Sequence, residues 1–134
     1  MAITVLLVDD NLLFRGALRA LLEGKEELAV VGEAGSAAEA VSLLDANPDV
    51  VITDRYLPDV DGIELTRQIK QRRPDTTVLL LSGLEDPGLG EVATAAGVSA
   101  MLNKGKSLVH LVPMISRLVA QKRKATPRMP SVSL

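Results

Sequence analysis

The sequence has no cysteine and a single histidine, His110, which excludes disulfides, thiolate metal sites and histidine clusters. Any metal must be held mainly by oxygen. Aromatic residues are nearly absent as well. One Tyr, one Phe and no Trp leave no platforms on which single-stranded nucleic acid would stack its bases, so a core must be built from Leu, Val, Ile, Ala and Met. The formal charge is only −2 over 134 residues, far from the strongly basic surface of an autonomous nucleic-acid binder; any effect on DNA is expected to be indirect. The opening Met1-Ala2-Ile3-Thr4 lacks the start of a signal peptide, and no apolar stretch approaches the roughly 18 to 20 residues that span a bilayer. A cytoplasmic protein without membrane contact is the expectation. No glycine-rich loop follows the first apolar run, which argues against nucleotide binding.

What the chain does have is 47% hydrophobic residues, enough for one domain of about 100 to 150 residues. Short β-branched or leucine-rich runs recur at residues 3–8, 28–33, 50–53, 78–81 and 98–102, and these read as strands. The middle three are too continuously apolar to have one wet face, which suits parallel strands covered on both sides. Between them lie segments of helical spacing. The first carries Leu12, Leu18, Leu21 and Leu22 with Phe14 and Arg19 set between; the second spans residues 37–46; the third carries Ile63, Leu65 and Ile69. Ser36 with Glu39 and Asp61 with Glu64 predict helix starts, and Pro48 and Pro74 follow helix ends. A fourth helix over 86–96 has Pro87, Gly88 and Gly90 in its first turns, so its start should be weak. A fifth is expected from Ser107 to about Lys122. Alternating strands and helices with crossovers of this length demand an α/β, doubly wound parallel sheet of five strands. The domain is expected over residues 1–122, with 123–134 as a linker or tail.

In such a sheet, ligands bind at the carboxyl ends of the strands. Those ends are polar here: Asp9 and Asp10 after the first, Asp54 after the third, Ser82 after the fourth and Lys104 after the fifth. Glu33 ends the second, away from the switch point. Three converging carboxylates repel one another unless a cation sits among them, and a hard, oxygen-seeking ion such as Mg²⁺ answers that need. With the Lys104 ammonium opposite, the pair of cations would neutralise a phosphoryl group on Asp54, and Ser82 would donate a hydrogen bond to it. An Asp-Asp pair after a strand is as often a helix cap, and each of the other residues alone is bland. The joint placement, one set per strand end, is what points to phosphoryl chemistry. His110 reads as a surface residue, and Lys122, Arg123 and Lys124 as a solvated helix end.

Val8-Asp9-Asp10, Asp54 followed by Leu57-Pro58 and Asp61-Gly62, Ser82-Gly83 and Lys104 together resemble the response-regulator receiver family over about residues 3–120. The resemblance implies a flavodoxin-like sheet of order 2-1-3-4-5 and a phosphoacceptor that assists its own phosphorylation and dephosphorylation rather than an enzyme. It implies Asp10 as a direct Mg²⁺ ligand, Asp9 acting through water or as a second ligand, Asp54 as phosphoacceptor and ligand, and the backbone carbonyl of Tyr56 completing the set. Ser82 would be the switch hydroxyl and Lys104 the phosphate-binding amine. The implied partners are a sensor histidine kinase and a second copy of the chain in a homodimer. Residues 10–16, 31–34 and 61–65 are similar to the NarL/FixJ subfamily, whose receivers precede a LuxR-type helix-turn-helix domain. Either the gene product continues past Leu134 into such a domain, which is the favoured expectation, or the receiver stands alone. DNA would be met only through that domain.

Three positions depart from the family pattern. Met101 stands where a Tyr or Phe usually turns inward on switching, and a flexible thioether specifies position less sharply. Gly105 replaces a common Pro after the lysine. Arg55 replaces an apolar residue after Asp54, with its charge either meeting phosphate or pointing to solvent. These departures leave open a receiver-like interaction module that switches without phosphate. The third reading, a phosphatase using an aspartyl-phosphate intermediate, expects an acid two residues after the nucleophile, where this chain has Tyr56.

Overall fold

A run such as Val50-Val51-Ile52 sends apolar side chains to both faces of its strand, so a sheet of such strands needs cover on each side. The computed structural model, which describes residues 2–82, 88–105 and 108–125, shows how the cover is supplied. Strands β1 (Ile3–Val8), β2 (Leu28–Ala34), β3 (Val50–Asp54), β4 (Thr77–Ser82) and β5 (Ala100–Asn103) alternate with helices α1 (Leu12–Glu23), α2 (Ala37–Ser42), α3 (Gly62–Arg72), α4 (Leu89–Ala96) and α5 (Leu111–Ala125). The strands form one parallel sheet in the order β2-β1-β3-β4-β5.

Alternation along the strands sorts the core into layers. Val5, Leu7, Ile52, Leu79 and Leu81 face α1 and α5, meeting Leu18, Leu22, Leu111 and Ile115. Leu6, Val8, Val51 and Val78 face the other way onto α2 and α3, meeting Ala37, Ala40, Leu65 and Ile69. Leu80 carries that second layer across to Leu89 and Ala93 of α4. Each fully buried Val, Leu or Ile among these contributes about 1.5 to 3 kcal/mol.

The helix starts follow the capping residues. Asn11 Oδ1 accepts the Phe14 N–H, Ser36 Oγ accepts that of Glu39, and Asp61 Oδ1 accepts that of Ile63. Glu39 reaches back to the Gly35 N–H, close to the capping-box pattern. Glu64 instead pairs along the helix with Arg67.

Several boundaries differ from the sequence-based expectation. The second helix does not run unbroken to residue 46. It stops at Ser42, whose hydroxyl bonds back to the Glu39 carbonyl, and a 3-10 turn, Leu44–Ala46, leads to Asn47 in the left-handed region. Val98 is not in the fifth strand. Its N–H closes the end of α4 on the Ala93 carbonyl after Gly97 turns at φ 106°, so β5 begins two residues later. A 3-10 turn, Leu108–His110, precedes α5, and Pro113 sits in that helix's first turn, where a missing N–H costs no hydrogen bond. The helix continues to Ala125, with Lys122, Arg123 and Lys124 in its last turn, where cations suit the helix dipole. The expected start of the fourth helix at Asp86, with Pro87, and Gly83 and Ser107 all lie outside the described residues.

Candidate functional site

The parallel order brings the ends of β1, β3, β4 and β5 to one edge of the sheet. Asp9 follows β1 directly; its N–H donates to the Ala34 carbonyl and its Oδ1 accepts the Asn11 N–H at 2.8 Å. Asp9 is 1% exposed, whereas Asp10 beside it is open to solvent. Asp54 ends β3 and Ser82 ends β4, both buried. Lys104 follows β5, with its N–H bonded to the Ser82 carbonyl at 2.8 Å. That bond ties the amine-bearing residue to the hydroxyl-bearing one through the backbone.

The Lys104 side chain turns inward. Its Nζ lies 2.8 Å from Asp9 Oδ2 and 3.2 Å from Asp54 Oδ2. Among the described residues no donor is aligned to hydrogen-bond Asp9 Oδ2, so this buried oxygen has the ammonium at ion-pair distance and unused acceptor capacity. Burial raises the Asp54 pKa; the Lys104 charge pulls it down and Asp9 pushes it up again, and the outcome lies above the ordinary value. Burial works against the Lys104 ammonium, but contact with Asp9 and the charge of Asp54 outweigh it and hold its pKa above the usual lysine value. The amine therefore stays charged.

Asp9, Asp10 and Asp54 each offer a carboxylate oxygen within 4.8 Å of the others. An all-oxygen, triply acidic set with a spare buried lone pair fits a hard divalent cation. Tyr56 lies in the loop between β3 and α3, where it pairs with Asp61 in an isolated antiparallel bridge; its ring is exposed.

That loop is held from three directions. Gly62 packs so closely on the end of β3 that a Cβ there would stand 2.3 Å from the Asp54 carbonyl oxygen. Arg55 does not simply point to solvent: its Nε lies 3.3 Å from Asp61 Oδ2 and its guanidinium lies 5.1 Å from the centre of the Tyr56 ring. Asp59 accepts the N–H groups of Ala37 and Ala38 at the start of α2, which holds its carboxyl below the usual range. Met101 is on β5, paired with Leu80 and more than a third exposed.

Sequence reasoning left some contributors unassigned. Phe14 lies beneath Lys104, with 4.2 Å between the ammonium and the ring centre. Arg15 donates to the Asp9 carbonyl at 2.8 Å and pairs with Glu33, which also pairs with Arg19. Glu33, which the structure places one residue before the end of β2, is thus linked through Arg15 to the β1 turn although it is remote from Asp54 in strand order. The only signal for this was the Arg15 and Arg19 spacing on one helix. His110 is exposed and takes no part.

Residues 5–116 match the family described as the response regulator receiver domain. The chain is 31% identical over 128 residues to the response regulator GacA of Pseudomonas aeruginosa, an alignment covering 95% of this chain and 60% of that protein. It is 43% identical over 103 residues to DevR/DosR of Mycobacterium tuberculosis, a DNA-binding transcriptional activator, covering 76% of this chain and 48% of the relative. A solved two-component response regulator of the LuxR family from an Aurantimonas species superposes with a TM-score of 0.85 at 33% identity, covering 90% of this chain and 87% of that one. The chain spans about half the length of the curated relatives it matches. Among the described residues no helix is long and apolar enough to cross a membrane.

Proposed function

The chain belongs to the response regulator receiver domain family, and from that membership we propose that Asp54 accepts a phosphoryl group from a phosphohistidine of a sensor kinase. The observation that carries this reading is the Lys104 ammonium, 2.8 Å from Asp9 and 3.2 Å from Asp54, which joins the tips of three strands in one basin. Asp9, Asp10 and Asp54, with the Tyr56 carbonyl, would hold Mg²⁺. When bound, the ion supplies positive charge against the phosphoryl oxygens and so lowers the cost of bringing them to a carboxylate.

The transfer asks little of the protein beyond positioning. An Asp54 carboxylate oxygen attacks phosphorus, the P–N bond to the donor imidazole breaks, and the imidazole leaves with the bonding pair. Lys104 offsets the charge arriving on Asp54, and Ser82 donates a hydrogen bond to a phosphoryl oxygen. A group carrying about −2 of charge then draws Ser82 and Lys104 toward it. Ser82 ends β4, whose Leu80 packs against α4, and Lys104 follows β5; the first residue of α4 follows Gly88 with no side-chain cap. The face formed by α4, β5 and α5, with Met101 at its surface, is the element whose equilibrium would shift. Its output would be dimerisation, or release of an attached DNA-binding domain in a longer regulator.

Incubation with Mg²⁺ and acetyl phosphate is expected to add the mass of one phosphoryl group to the wild-type chain and none to Asp54→Asn. No adduct on the wild type, or an equal adduct on the variant, would overturn the proposal.

A further inference from the structure

The chain contains one phenylalanine, and its ring lies under the ammonium that serves the candidate phosphoacceptor site. From this geometry we infer that Phe14 is a positioning residue for Lys104: its ring face holds the ammonium at the mouth of the basin while the carboxylates change partners. The inference rests on the reading of Asp54 as the phosphoacceptor.

Lys104 needs such a station. It is the first residue past the edge strand β5, it precedes Gly105, and its stem is a flexible chain with many rotamers to lose. In the structure its Nζ is held by Asp9 and Asp54. Both carboxylates have a second claim on them, Asp9 and Asp54 as members of the acidic cluster and Asp54 also as the acceptor of phosphate. An ammonium tethered only to these oxygens would be released when they are engaged elsewhere. The ring makes no such exchange. Attraction between a cation and a ring face is broad in direction and does not compete for a carboxylate lone pair.

The ring is also fixed in place. Phe14 sits in the first turn of α1, its N–H held at 3.0 Å by the Asn11 cap, while the Asn11 carbonyl takes the Arg15 N–H. The side chain is partly buried against the cluster formed by Leu18, Leu111 and their neighbours. One face of a rigid ring is thus set against a cation on a long stem by the same cap that starts the helix beside Asp9 and Asp10.

Because Phe14 is the sole phenylalanine, replacing phenylalanine during biosynthesis with its mono-, di- and trifluoro analogues alters this ring alone. The shape is nearly kept while the ring face loses electron density, a series that a purely packing role would not follow. Beryllofluoride, with Mg²⁺, is the phosphoryl probe. Its dissociation constant is expected to climb step by step with fluorination, by roughly three- to tenfold overall. In the unliganded protein the Lys104 ε-methylene protons are expected to resonate upfield under the ring and to return to their ordinary position in Phe14→Leu. A flat fluorination series, with Asp54→Asn still unable to bind the probe, would overturn the positioning role and leave the phosphoacceptor reading standing. Unshifted ε-protons in the native protein would overturn it too. Probe binding by Asp54→Asn equal to wild type would overturn the phosphoacceptor reading, and this inference with it.

Discussion

A carboxylate gains from an ammonium at 3.2 Å and loses from burial and from a second carboxylate nearby; at Asp54 the losses win and its pKa stands above the ordinary value. A carboxyl whose pKa is higher folded than unfolded binds more protons in the folded state across the interval between the two, so stability falls as pH rises through it. Once the pH is above the unfolded-state value, Asp54 therefore costs the fold stability. In a chelating buffer Asp54→Asn is expected to melt above the wild type at neutral pH, with the margin shrinking as pH falls through the raised value. Thermal unfolding across the acid range checks this; a variant that melts lower at neutral pH would contradict it. At this scale the sequence was legible where chemistry marks a strand end: the structure brings Asp9, Asp54 and Lys104 into contact and places Asp10 and Ser82 at the same edge. Phe14 and Asp59 were not legible. One reads as an ordinary apolar helix residue, the other as a loop acid, and what gives each its role is a partner far away in sequence.

The elements that position these residues meet at very short range. Gly62 opens α3 against the end of β3, and an added Cβ would stand 2.3 Å from the Asp54 carbonyl oxygen and 3.0 Å from the Arg55 Cα. Backbone atoms cannot swing aside as a flexible side chain can. Gly62→Ala is therefore expected to destabilise by about 1 to 3 kcal/mol, the usual cost of overpacking, and to displace the loop bearing Tyr56. Urea unfolding reads the first effect; a midpoint equal to wild type would contradict it. The element order and the caps at Ser36 and Asp61 were readable because they depend on residues close in sequence. The early end of α2 and the late start of β5 were not. They follow from the Ser42 back-bond and from the α4 closure through Gly97 and Val98, local choices that hydrophobic spacing does not encode.

For the molecule as a whole, the doubly wound sheet follows from continuous apolar strands with right-handed crossovers, and its order, which the family resemblance implied, sets the β1, β3, β4 and β5 tips side by side. Sequence pattern reached that architecture because burial on both faces leaves its mark in composition. It did not reach the outward position of Met101 or the clasp of Arg55 on Asp61, which depend on how loops and an edge strand settle. The account stands on a single acyl phosphate forming at the junction of these tips. Borohydride cleaves an acyl phosphate reductively and leaves homoserine where the aspartate was, so peptide mapping after Mg²⁺ and acetyl phosphate treatment locates it. Homoserine at position 54 alone, and only when Mg²⁺ is present, is the predicted result. Homoserine at another acid, or none in a folded protein, would contradict the account.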